Sequence, residues 1–174
     1  KVNCDFSFIN GEGYSNMQLD NNFKATGGIT VMPWKQMLFR LNGDIMVPGD
    51  MLHSTLIFFA AFKNELVTIG AEVLHQTSHE LIKDHNIWGF SCTGSIAIFK
   101  NTELFVRYDH SASIRTPVEE AQWHYTDDDS FMINGIQYTL SNNLKMALNY
   151  QGTFPRDSRE NKKELIYLST RFTF

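Results

Sequence analysis

No stretch of this 174-residue chain approaches the roughly 20 consecutive apolar residues that a transmembrane helix requires. A helical membrane protein is therefore excluded. Positive charge is also in short supply: 15 Lys and Arg face 19 Asp and Glu, for a formal net charge of -4 and a pI near 5.8. That balance provides no basic field for a polyphosphate, and no nucleic-acid partner is expected. The two cysteines, Cys4 and Cys92, are too few and too distant for a disulfide framework and read as free, apolar-like thiols. Helical periodicity is scarce, and no G-x-S-x-G, P-loop, HExxH or Cys/His constellation occurs. The chain opens on KVNCDFSFINGEGY, which reads as a strand and not as a signal peptide, so a processed chain or a fragment is expected.

What the sequence does have is a period of two, recurring from one end to the other between clusters of Gly, Asn, Asp and Pro. It predicts about ten strands, at 2–11, 22–32, 37–47, 54–62, 66–76, 87–99, 102–110, 130–140, 144–154 and 164–174. All four prolines, Pro33, Pro48, Pro117 and Pro155, fall at or between strand ends, where no ladder hydrogen bond is lost. Tight turns (PWKQ, KNE, KN, SNN) follow the even-numbered strands, and longer polar segments follow the odd-numbered ones. In a meander this puts every short turn at one end of the sheet and every long loop at the other. That asymmetry, with strands longer than the 5 or 6 residues typical of globular proteins, is expected of an all-β, antiparallel, up-and-down transmembrane β-barrel forming a single domain over 1–174.

The alternation separates charge from hydrocarbon. Leu144, Met146, Leu148 and Tyr150 share one phase, Lys145, Asn149, Gln151 and Thr153 the other. Extending the charged phase gives a set of lumen-facing candidates: Lys24, Arg40, Asp44, Glu72, Glu103, Arg107, Asp109, Lys145 and Arg171. Arg107 and Asp109, two apart on one strand, are expected to pair. Tyr14, Trp34, Phe62, Trp88, Phe99, Tyr150 and Phe154 lie near strand ends, where interfacial aromatic girdles belong. A soluble sandwich or dry-cored barrel also explains alternating strands, but not the systematically uneven connections. In hydrocarbon an open sheet edge is forbidden, so closure is expected. The segment STLIFFAAF, apolar in both phases, does not fit the pattern.

Three stretches support a family resemblance. FSFINGEGYSNMQLDNNFKATGGITVMPWKQMLFRLNGD, IWGFSCTGSIAIFKNTELFVRYDHSA and GIQYTLSNNLKMALNYQGTF, the last followed by a strand ending in Phe174, resemble segments of Gram-negative outer-membrane porins of the phosphate-selective O and P type. The resemblance implies the C-terminal portion of a barrel of about 16 to 18 strands, whereas the strand count alone also allows ten strands to close by themselves. It further implies passive diffusion of small hydrophilic solutes or anions across the bacterial outer membrane. Implied partners are outer-membrane lipid, lipopolysaccharide and the barrel-assembly machinery, with a homotrimer or other membrane complex by analogy. Tyr167, Phe172 and Phe174 resemble that machinery's C-terminal signal. The sequence departs from the family in having no lysine cluster matching its phosphate-selective channel, so general diffusion is what carries over.

Other chemistries are weaker. His75, His79 and His85 share the segment HQTSHELIKDH but read as solvated loop histidines, and Asp127, Asp128 and Asp129 lack the spaced oxygens of a calcium loop. No metal or cofactor is expected. A barrel enzyme could use His110 with Asp109, but neighbours on a strand point to opposite faces and do not converge. No catalytic residue is assigned; a non-channel barrel, structural or an assembly subunit, is the principal alternative.

Overall fold

The computed structural model of the chain describes residues 1–10, 22–114, 128–141, 143–157 and 159–173. It contains β1 (Val2–Asn10), β2 (Phe23–Val31), β3 (Met37–Met46), β4 (His53–Lys63), β5 (Val67–Thr77), β6 (Asn86–Phe99), β7 (Thr102–Ile114), β8 (Asp129–Ser141), β9 (Leu144–Pro155) and β10 (Lys163–Phe172). One 3-10 turn, His79–Leu81, follows β5. The ten strands form a single antiparallel sheet in sequence order, the up-and-down meander that the alternating connections predict.

Turn chemistry fixes the register locally. In the turn between β4 and β5, Asn64 Oδ1 accepts the backbone N–H groups of Leu66 and Val67 at 2.9 and 2.7 Å, the Asx geometry that lets asparagine close a tight reversal. Small bulges, between Ala97 and Phe99 and between Thr139 and Ser141, interrupt the ladder near the short-turn end. Strand β7 continues four residues past the predicted end at His110. Its end is held by Asp128, whose carboxylate accepts the Ser113 N–H at 2.8 Å and the Ser113 hydroxyl at 3.0 Å.

The pairing register sorts the side chains onto two faces. One carries Phe6, Phe8, Ile29, Leu41, Leu56, Phe58, Ile69, Val73, Val106, Ile136, Leu148 and Leu168. Every Asp, Glu, Lys and Arg of the strands lies on the other face except Glu164. Glu164 stands on the apolar face at the start of β10, where the Tyr150 hydroxyl donates to its Oε1 at 2.6 Å.

Burial is inverted relative to a soluble domain. Among the described residues the buried apolar side chains are Met46 and Ala112, while Thr30, His53, Thr55, Ser78, Ser113, Asp128, Asn149 and Asp157 are buried polar ones. Phe6, Phe8 and Leu168 remain 67–68% exposed. The sheet has no second layer to cover that face, so the dry core of a sandwich is absent from the described residues.

The expected closure is not present. The ladder runs from β1 to β10 without a pairing between them, and the two edge strands are exposed along almost their whole length. Phe174, Tyr14 and Asp127 lie outside the described residues.

Candidate functional site

The nine charged residues picked out by phase, Lys24, Arg40, Asp44, Glu72, Glu103, Arg107, Asp109, Lys145 and Arg171, all fall on the polar face. They form three groups along it. Near the long-loop end, Lys24 Nζ lies 3.3 Å from Asp44 Oδ1, with buried His53 Nε2 a further neighbour at 3.9 Å. The other ring nitrogen of His53 donates to the Ser78 carbonyl at 3.0 Å, tying the start of β4 to the β5–β6 connection.

Across the middle, one cross-strand row runs Arg40, Phe59, Glu72, Ser91, Asp109. At its β3 end Arg40 reaches over β2 and grips Asp5 of β1 through two hydrogen bonds of 2.9 and 3.0 Å, while also donating to Thr30 Oγ1 at 2.8 Å. The crossing passes above Gly28, where an added Cβ would come within 2.5 Å of Arg40 Nη2. A Cβ there would push the guanidinium off this path. At the other end Arg107 Nε meets both oxygens of Asp109 at 3.0 and 2.8 Å, and the Ser91 hydroxyl donates to the same carboxylate at 2.5 Å. The expected Arg107–Asp109 pair therefore forms.

The third group lies toward the short turns. Gln137 Nε2 donates to Glu103 Oε2 at 3.3 Å, while Lys145 and Arg171 face each other across β9 and β10. Neither of these two cations has an anionic partner among the described residues. Charge on the face is thus uneven: Lys24, Arg40 and Arg107 are each neutralised by a carboxylate, Lys145 and Arg171 are not, and Glu72 has no hydrogen-bond or ionic partner among the described residues.

The apolar phases of β4 now have a physical account. Phe59 stands on the polar face, and its ring covers Gly70 of β5 at contact distance, 3.4 Å from where a Cβ would be. Beside it is a depression of about 230 Å³ lined by Phe59, Gly70, Glu72, Ser91, Thr93 and Arg107. Phase identified Glu72 and Arg107 but missed Phe59, Ser91 and Asp5. Asp5 was legible from its own alternation, because it shares a phase with Asn3 and Ser7; Phe59 required the register.

The residues of the enzyme alternative separate. His110 is on the apolar face, where its Nδ1 and the Tyr108 hydroxyl meet Ser130 Oγ at 2.9 and 3.0 Å, and its ring packs against Trp88. Asp109 is engaged on the opposite face. His75 also lies on the apolar face, whereas His79, in the connection after β5, pairs with Gln76 near the end of that strand. Tyr167 and Phe172 occupy opposite faces of β10. Beyond the strands, Arg159 donates from its side chain and its backbone N–H to Asp157, which holds that carboxyl below the usual carboxylate range. Set against known proteins, the chain matches no family model and no curated protein.

Proposed function

We propose that this sheet forms part of the wall of an outer-membrane channel, a transmembrane β-barrel through which small hydrophilic solutes diffuse passively. The observation that carries the reading is the segregation itself: a broad apolar face left exposed, backed by a face holding all the strand charges but one. Water makes such a surface costly, at about 25 cal/mol for each Å² of apolar area. Hydrocarbon removes that penalty and instead disfavours charge. The exception also fits, because Glu164 pairs with Gly152 toward the long-loop end of the sheet, nearer the depth where polar headgroups begin.

The open edges extend the proposal. Unpaired N–H and C=O groups on β1 and β10 have no water to bond within a bilayer, so in the membrane these strands pair with further strands that complete the ring. On this reading the polar face lines the lumen, the apolar face contacts outer-membrane lipid and lipopolysaccharide, and β10 carries the contact with the assembly machinery.

Reconstitution of the natural full-length chain into planar bilayers tests the proposal. Discrete conductance steps are expected; a folded, membrane-inserted protein that gives no steps in any salt would overturn it.

A further inference from the structure

The geometry points to a subsite for a small organic cation, an ammonium or a guanidinium, between the Phe59 ring and the Glu72 carboxylate. It rests on the proposed water-filled polar face and gives that face a substrate class. The depression beside Phe59 is lined by four polar side chains, three of which are already committed. Ser91 donates to Asp109, Thr93 Oγ1 donates to the Val106 carbonyl at 3.3 Å, and Arg107 is held by both oxygens of Asp109. Glu72 is the exception, with no partner among the described residues. The nearest internal cations do not reach it: Arg107 faces Asp109, and Arg40, at the end of the same row, is clasped by Asp5 and Thr30.

A half-buried carboxylate without a donor retains an unmet demand for one, and a ligand N–H or a bare cationic charge meets it. Phe59 supplies the second element. It is the direct cross-strand neighbour of Glu72, and an aromatic face attracts a cation through its quadrupole. Gly70 forms the floor, and the ring rests over it. At about 230 Å³ the space is smaller than the roughly 300–1,000 Å³ of drug-sized pockets, which suits an ion of a few heavy atoms. An inorganic phosphate would instead meet Glu72 head-on, with the one nearby guanidinium already neutralised.

Saturation-transfer NMR on the full-length protein in lipid nanodiscs, with tetramethylammonium as the probe, reads this site without requiring conduction. Saturable binding is expected, weakened at least tenfold by Glu72→Gln, several-fold by Phe59→Leu, and unchanged by Glu65→Gln in the β4–β5 turn. Phe59→Leu keeps an apolar side chain over Gly70, so it reports on the aromatic face if the Glu72 variant folds poorly. Equal binding of uncharged tert-butanol, wild-type affinity in both Glu72→Gln and Phe59→Leu, or competition by inorganic phosphate would overturn the subsite. A protein that binds the cation but does not conduct would sink the channel alone; one that conducts without binding would sink the subsite alone.

Discussion

Replacing Leu148 with lysine is the sharpest probe of the two-faced sheet. Leu148 stands on the apolar face of β9, 52% exposed, flanked by Ile136 of β8 and Leu168 of β10. It lies four residues beyond Leu144 at the short-turn end. At ~3.4 Å per residue that is ~14 Å along the strand, and a tilt of ~40° makes it ~10 Å of height. In the proposed bilayer setting an apolar band ~25 Å tall has its midplane at ~12 Å, which would put residue 148 close to the deepest point. A lysine there should cost about 2–4 kcal/mol, a thirtyfold to several-hundredfold change in the folding equilibrium constant. Ala147→Lys, one residue away on the polar face, should cost well under about 1 kcal/mol. Reversible denaturant titration into phospholipid vesicles, followed through Trp34 and Trp88 fluorescence, measures both. Equal destabilisation by the two variants, or a loss below about 0.5 kcal/mol for Leu148→Lys, would refute the assignment of faces.

Two further outcomes follow from local geometry. Gly135→Ala should destabilise the β8–β9 pairing by about 1–3 kcal/mol, because the added Cβ would press on the Leu148 carbonyl and lie 2.8 Å from Phe105 Cζ; a melting temperature equal to wild type would contradict this. The Asp157–Arg159 turn should resist acid: a carboxyl held below its unfolded value contributes stability that is complete above the unfolded pKa and disappears only as pH falls through the lowered folded value. A nitroxide at Glu160 should therefore stay immobilised through the ordinary carboxylate range and loosen below it, and loosening at the usual aspartate pKa would show that the pair does not hold.

The strands and their order were legible because both signals are local. Alternation needs only neighbouring residues, and turn residues such as Asn64 act on the backbone two and three positions away. The same locality explains the misses. The end of β7 was placed early because Ser111, Ala112 and Ser113 are all small and carry no alternation; what extends the strand is Asp128, beyond a long connection. The Asp5–Arg40 clasp joins residues 35 apart in sequence and skips a strand, so no window of the sequence contains it. Phe59 looked out of phase until the register laid it over Gly70, and Glu164 looked ordinary until the register put it on the apolar face within reach of the Tyr150 hydroxyl. Closure was expected from the cost of an edge in hydrocarbon, which is a statement about surroundings; the ladder itself contains no bond that would join β1 to β10.

The strictly sequential order of the strands has a consequence for how the sheet comes into being. In the backbone ladder each strand pairs only with its predecessor and its successor, so the fold approximates a one-dimensional chain of coupled units, with stability close to a sum of nearest-neighbour terms and the Asp5–Arg40 clasp as a contact that skips a strand. Growth by one strand closes a loop no longer than the connection before it, and the entropy of that step rises only slowly with loop length. A damaging substitution within an interior strand weakens two seams, one in β1 or β10 weakens a single seam, and the rest of the ladder is left intact. At every stage of assembly the newest strand is also the template for the next.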